Sequence, residues 1–295
     1  MTDIYEHRDE DGAEAEKFLE KDNLKNLPVI GKYLEKKPKV TVLRLSGVIA
    51  DEGRRKASIS YARYAKLIDK AFEKADCAVA LVINSPGGMP AQAELIGAHI
   101  RRAALEKKIP VIGFVEDVAA SGGYWLACAA DAIYAQNTSI IGSIGVVSAS
   151  FGFEDFIAKH SIHRRMHTAG KDKSFLDPFL PERESDVQRL KEIQHEIHAV
   201  FIDWVKERRG NRLRGADKEM FQGAFWTAGI AMDYGLIDGI ADMRGYMREK
   251  FGKKVKFVEI SPEKKLFSLP SVPGISADDV IGAVENESAW NRLGL

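Results

Sequence analysis

A parallel α/β sheet is predicted by three observations. Apolar runs of strand length occur at 40–45, 78–83 and 111–115, the stretches between them place apolar residues at three- and four-residue spacing, and glycine or proline stands at the joints. Near-continuous apolar runs suit parallel strands covered on both faces, and strands alternating with helices favour right-handed βα crossovers.

Taken in order, 40–45 reads as the first strand. Tyr61, Tyr64, Ala65, Ile68, Ala71, Phe72 and Ala75 then mark a helix. The strand 78–83 follows, and Pro90 can open a helix carried by Leu95, Ile96, Ala98, Ile100 and Ala103 to about residue 105. A third strand is expected at 111–115, a small-residue helix at 121–130 and a fourth strand at 132–135. After Gly152 a short helix reaches about residue 160, and the chain runs extended through 166–170, with His163 and His167 flanking a strand. The long helix 182–209 keeps Val187, Leu190, Ile193, Ile197, Val200, Phe201, Trp204 and Val205 in register, and Gly210 is a fitting stop. Another α/β element is expected in 221–242 and a last strand at 255–260. The tail, with Pro262, Pro270 and Pro273, should be irregular up to a short helix near 278–292.

Composition narrows the partners. The 295 residues are 45% apolar, ample for a core, and 43 basic residues balance 43 acidic ones, so nothing global attracts nucleic acid or an anionic membrane. The two cysteines, Cys77 and Cys128, have no metal-ligand spacing and read as small buried hydrophobes in a reducing compartment. The polar extension 1–38 lacks the basic and apolar regions of a secretory signal, so a cytoplasmic location is expected. Its one apolar patch, Leu27-Pro28-Val29-Ile30, should dock on the domain surface, and the neighbouring Lys32, Lys36 and Lys37 are compatible with a peripheral membrane contact. Between Val118 and Phe153 only Asp131 is charged, but glycines, serines, Gln136 and Asn137 break the segment, so it reads as small-residue core rather than a membrane span.

The chemistry centres on Ser121. It follows a strand and opens a helix, and Asn84-Ser85-Pro86-Gly87-Gly88 forms a glycine turn able to supply backbone N–H groups. Strand-end exposure, the positive end of a helix dipole and oxyanion donors are what a nucleophile needs. Ala119 stands where the Gly-x-Ser-x-Gly elbow has glycine, which disfavours an α/β-hydrolase triad. Among the seven histidines, His7 and His99 lack a route to the serine. His195 and His198 read as solvated or core residues of the long helix, which leaves His163 and His167 as the best histidine candidates. Lysine is the other option, although with its ordinary pKa of about 10.4 only roughly four in ten thousand are neutral at pH 7, so such a base needs burial or a neighbouring cation. Lys171 and Lys173 lie in Thr168-Ala169-Gly170-Lys171-Asp172-Lys173-Ser174, by composition alone a solvated basic turn.

Five motifs in order carry a resemblance: Asn84-Ser85-Pro86-Gly87-Gly88, Ala119-Ala120-Ser121-Gly122-Gly123-Tyr124, Gly142-Ser143-Ile144-Gly145-Val146, Gly170-Lys171-Asp172-Lys173 and Gly235-Leu236-Ile237-Asp238. Over about 40–243 the chain resembles the signal peptide peptidase A family of serine peptidases. The resemblance implies the fold of the Clp protease and crotonase superfamily, a parallel sheet with βα superhelical repeats, in a peptidase domain spanning 39–261 and followed by the tail 262–295. It implies Ser121 as nucleophile, Lys173 as general base, Ser143 as the hydroxyl that orients the lysine, and the N–H groups of Gly88 and Gly122 as the oxyanion hole, with neither cofactor nor metal. It also implies peptide substrates and a ring-like homo-oligomer in which the dyad forms between adjacent protomers. Apolar residues near Met89 and Ile144 should wall the specificity pocket.

Two features depart from the family pattern. Asp172 stands where members often carry an aromatic residue, and a carboxylate facing the amine would favour the ammonium form, so Asp172 should point away. The N-terminal hydrophobic anchor of familiar members is missing from this sequence, so a soluble relative acting on small unstructured peptides or damaged protein is expected on equal terms with one that cleaves signal peptides left in a bilayer. A crotonase-like acyl-CoA enzyme and a catalytically silent assembly protein are the competing readings.

Overall fold

Residues 37–51, 58–170, 172–261, 287, 290, 291 and 293 are described by a computed structural model. The expected docking patch at 27–30 and nearly all of the tail lie outside these residues.

The apolar run at the start of the domain forms β1 (Lys39–Ser46). Ser60 then caps α1 (Tyr61–Lys74), its hydroxyl accepting the Arg63 N–H, and the helix buries Tyr64, Ile68, Ala71 and Phe72. Next come β2 (Ala78–Ser85), buried almost throughout, and α2 (Pro90–Lys107), with proline in its first turn. At roughly 1.5–3 kcal/mol per fully buried large apolar side chain, Leu81, Val82 and Ile83 make β2 a central strand. Then follow β3 (Val111–Ala120), α3 (Gly122–Ala127), β4 (Ala132–Ala135), β5 (Ile140–Gly142), α4 (Glu154–Lys159) and the 26-residue α5 (Glu184–Arg209). The chain finishes with α6 (Asp217–Met220), β6 (Phe225–Thr227), α7 (Ala228–Asp233), β7 (Gly239–Ile240), α8 (Met243–Phe251) and β8 (Lys256–Ile260).

The eight strands form one sheet in the order β6-β5-β3-β2-β1-β8, with β4 pairing β3 and β7. Every pairing is parallel except β5 with β6, which is antiparallel. The expected α/β class therefore holds. One face of the sheet is covered by α1, α2, α3 and α5 over the larger core, and the other by Met247 and its neighbours on α8 over Val40, Val42, Ala80, Val82 and Phe114.

The long third strand is what builds the site. Its first half, Ile112–Val115, lies beside β4, and its second half, residues 118–120, lies beside β5. Two extra residues, Glu116 and Asp117, sit between these halves, so that Ile83 pairs Val115 but Ser85 pairs Ala119. A bulge of this kind redirects a strand. It carries β3 five residues past its expected end and puts Ser121 at the tip.

Three other expectations are corrected. The helix after Ser121 stops at Ala127 rather than near 130, because Cys128, Ala129 and Ala130 turn away with their carbonyls bonded to arginines. The segment 162–168 carries no strand, since no neighbouring strand is there to pair with it. Cys128 is buried as expected, but Cys77 is half-buried, with its Sγ donating to the Lys39 carbonyl at 3.2 Å.

Candidate active site

Ser121 adopts φ +52° and ψ −125°, a sparsely populated conformation for a residue with a side chain. Such strain costs on the order of 1–3 kcal/mol and persists only where neighbours over-determine it. Here its N–H donates to the Gly142 carbonyl at 2.8 Å, and its own carbonyl accepts the N–H groups of Tyr124 and Trp125 at 2.9 and 3.0 Å. Both ends of the residue are fixed, and among the described residues its hydroxyl has no hydrogen-bond partner.

The turn 85–88 packs directly on this serine. A Cβ on Gly87 would lie 2.8 Å from the Ser121 Cβ and 2.9 Å from the Gly122 nitrogen, and one on Gly123 would lie 2.3 Å from the Ser85 carbonyl oxygen. Gly88, at φ +144°, is closed in from the other side, because its Cβ would fall 2.0 Å from the Ile49 carbonyl oxygen. These glycines are needed for contact as well as for conformation. They bring the Gly88 nitrogen to 3.4 Å from where a Gly122 Cβ would be, and among the described residues neither the Gly88 nor the Gly122 N–H has an acceptor. Two free donors beside a strand-end hydroxyl can receive the oxygen of a carbonyl whose carbon that hydroxyl attacks.

Ser143 joins the same constellation through the sheet. Ala120 pairs Gly142, so Ser121 and Ser143 are the next residues at the tips of two adjacent parallel strands. Ser143 also has a positive φ, +52°, with its N–H on the Ala224 carbonyl at 2.7 Å. Of the expected pocket walls, Ile144 is buried and Met89 partly exposed beside Gly88.

The structure thus brings together Ser121, Ser143, Gly88 and Gly122, and among the described residues none of them bonds the Lys173 amine. Lys173 is exposed in the turn after Gly170, its backbone N–H on the Gly170 carbonyl at 3.2 Å, and among the described residues its amine has no partner. Asp172 does point to a different group, with a carboxylate oxygen 3.4 Å from the Arg189 guanidinium on α5. Sequence reasoning did not anticipate that partner, because seventeen residues separate the two along the chain.

No histidine contacts Ser121 among the described residues. His99 is buried against Asp69 at 2.8 Å, His160 lies beside the Phe156 ring, and His163, His167 and His195 are exposed. His198 is the exception to the bland reading of its helix, since its Nε2 lies 3.1 Å from the Ile144 carbonyl, one residue beyond Ser143. The sequence signal for this was its spacing three and seven residues before Phe201 and Val205, on the buried side of the helix.

The long helix also holds the base of the nucleophile's helix. Trp204 Nε1 donates to the Trp125 carbonyl at 3.0 Å, and Arg208 Nε donates to the Cys128 carbonyl at 2.9 Å. Arg101 on α2 reaches the Ala129 carbonyl at 3.1 Å. Cations on these last carbonyls suit the negative end of a helix.

The family model of Peptidase family S49 matches residues 103–254. The chain belongs to peptidase family S49. It is 48% identical over 257 residues to a protein of Brucella abortus (strain 2308) named Na(+)/H(+) antiporter NhaA, covering 86% of this chain and 34% of that protein. A protein of the same name from Brucella melitensis biotype 1 matches to the same extent. The chloroplastic serine protease SPPA of Arabidopsis thaliana is 34% identical over 213 residues, 68% of this chain and 30% of that protein. The chain spans about a third of the length of these relatives. Among the described residues no helix is long and apolar enough to cross a membrane.

Proposed function

We propose that this chain is a serine endopeptidase that cleaves peptides through a Ser/Lys dyad, with small unstructured peptides or signal-peptide remnants as substrates. The observation that carries it is Ser121 in a strained conformation at the tip of β3, beside the N–H groups of Gly88 and Gly122, which have no acceptor among the described residues. In the first step the Ser121 oxygen bonds to the scissile carbonyl carbon and its proton passes to a neutral Lys173 amine, while the carbonyl oxygen takes up negative charge against the two glycine donors. Collapse expels the amine product, which takes that proton, and leaves an acyl-enzyme. Water then attacks the ester, its proton again moving to Lys173 and finally back to Ser121 as the acid leaves. Ser143 holds the amine in line.

The lysine is supplied by a neighbouring copy in a homo-oligomer. Supporting this, the segment between Ser143 and Lys173 presents Val147, Phe151, Phe156 and Ile162 to solvent, with Phe151 79% exposed. Apolar surface of that extent marks an interaction face. The free thiols of Cys77 and Cys128 suit a cytoplasmic setting.

The test is digestion of a mixed peptide library, read by mass spectrometry. Lys173→Ala is expected to be inactive, and mixing it with Ser121→Ala should restore about a quarter of the wild-type rate, since each site draws one group from each of two randomly mixed copies. Activity in Lys173→Ala alone would remove the lysine from the reaction, and failure of the mixture would place both groups in one chain.

The oxyanion site has its own test. Gly88→Ala is expected to reduce kcat by on the order of 10²–10³-fold, the cost of losing one aligned donor, because the new methyl cannot fit against the Ile49 carbonyl without moving the turn. The rate of Ser121 labelling by a fluorophosphonate should fall in parallel.

A further inference from the structure

The turn that carries Ser143 is strained and fastened on two sides. Gly142 and Ser143 both have positive φ, +118° and +52°. Two consecutive residues of this kind hold only if their surroundings leave no alternative. On one side the main chain supplies the restraint. Ser143 donates to the Ala224 carbonyl at 2.7 Å, the Gly223 N–H donates to the Ile144 carbonyl at 3.1 Å, and a Cβ on Gly145 would lie 3.0 Å from the Gly223 Cα. On the other side the His198 side chain from α5 bonds the turn's backbone, while the Trp226 ring of β6 packs against Gly142.

We propose that His198 is a positioning residue for catalysis, fixing the residue that follows Ser143 through its hydrogen bond to the Ile144 carbonyl. The inference rests on the Ser143 role given above and adds a residue to it. A carbonyl can only accept, so the hydrogen lies on the His198 Nε2, and that nitrogen has no lone pair left to act as a base. Both the neutral Nε2–H tautomer and the imidazolium make the same bond, so the restraint survives protonation of the ring.

The position of His198 along its helix explains why this contact matters. Trp204 and Arg208, six and ten residues further on, hold the Trp125 and Cys128 carbonyls of the nucleophile's helix. With a rise of about 1.5 Å per residue, the helix sets the Ser143 turn about 9 Å along its axis from the Trp204 anchor. One helix thus touches both serine-bearing segments, which the β3–β5 pairing and the Ser121 N–H on the Gly142 carbonyl hold side by side, and His198 is its attachment at the Ser143 end. Without it, the Ile144 carbonyl keeps only the Gly223 N–H among the described residues, and the Ser143 hydroxyl can drift from the amine it orients. Displacements of about 1 Å are enough to cost large factors in rate.

The test compares steady-state peptide cleavage by the full-length wild type, His198→Ala, His198→Gln, Ser143→Ala and the double variant Ser143→Ala/His198→Ala. His198→Ala is expected to lower kcat about tenfold while KM stays within about twofold, as for an interaction that matters in the transition state. His198→Gln keeps a donor at the same reach and should recover most of the rate. In the Ser143→Ala background the His198→Ala change should have no further effect, because the two act as one unit. Equal losses in both backgrounds, a change confined to KM, or no rescue by glutamine would overturn the inference. Wild-type kcat in Ser143→Ala would overturn it together with the Ser143 role. Failure of the peptidase reading shows separately, as undiminished cleavage by Ser121→Ala.

Discussion

Ser121→Ala is expected to reduce kcat/KM for peptide cleavage by on the order of 10⁴-fold or more, the scale seen when a nucleophile that acts as a unit with its base is removed. The loss should fall on kcat, because the hydroxyl forms its bond only as the reaction proceeds and contributes little to holding the peptide beforehand. The fold should survive. The strained backbone at residue 121 is fixed by the Gly142 carbonyl and by the Tyr124 and Trp125 N–H groups, none of which involves the hydroxyl. Thermal unfolding within about 1 kcal/mol of the wild type, together with lost cleavage and lost fluorophosphonate labelling, is the expected pattern. Equal labelling of Ser121→Ala and wild type would place the nucleophile at another serine.

The parts of this site that were legible in the sequence are local ones. The apolar runs of β1 and β2, Pro90 at the head of α2 and Gly210 at the end of α5 each declare themselves within a few residues. Ser121 and the turn 84–88 were legible because close approach to a nucleophile demands glycine, and glycine leaves a visible pattern. What was not legible depends on partners distant in sequence. Glu116 and Asp117 look like the end of a strand, yet β3 continues past them because β4 and β5 line up along its two halves. Three-residue β5 carries no strand signal of its own, and its register with β3 alone gives it meaning. Helix α8 is obscured by Arg244, Arg248, Glu249 and Lys250, with Met247 its one fully buried side chain. His198 and Arg189 have the bland spacing of any helical polar residue until the backbone shows which carbonyl or carboxylate lies opposite.

The same reasoning singles out Arg209 as the residue whose loss should most damage the fold. It is the last residue of α5 and only 1% exposed, and its guanidinium grips Asp238 with two bonds of 2.8 and 3.0 Å while Nε donates to the Gly235 carbonyl at 2.9 Å. The carboxylate also accepts the Ile133 N–H of β4 at 2.7 Å, and the adjoining Leu236 carbonyl accepts the Tyr124 hydroxyl of the nucleophile's helix at 2.7 Å. A single side chain thus ties α5 to the turn 235–238, and through it to β4 and α3. Arg209→Met would leave the Asp238 charge without its main partner, and breaking one side of a buried pair costs about 3–5 kcal/mol. Chemical denaturation at neutral pH should show a loss of that size, and Arg209→Met/Asp238→Leu a smaller one, because no bare charge remains. The pH dependence carries a definite sign. Burial pushes the Asp238 carboxyl up, but the bonds and charge of Arg209, the Ile133 N–H and the Arg212 charge outweigh it and hold the group below its ordinary value. A carboxyl depressed in the folded state stabilises above its unfolded pKa of about 3.9 and loses that contribution as pH falls through the folded value. The gap between wild type and Arg209→Met should therefore be full at neutral pH and narrow below about pH 4, where protonation removes the charge that the variant cannot balance. A gap that stayed constant through that range would mean that the arginine stabilises by packing and by its bond to the Gly235 carbonyl rather than by its charge.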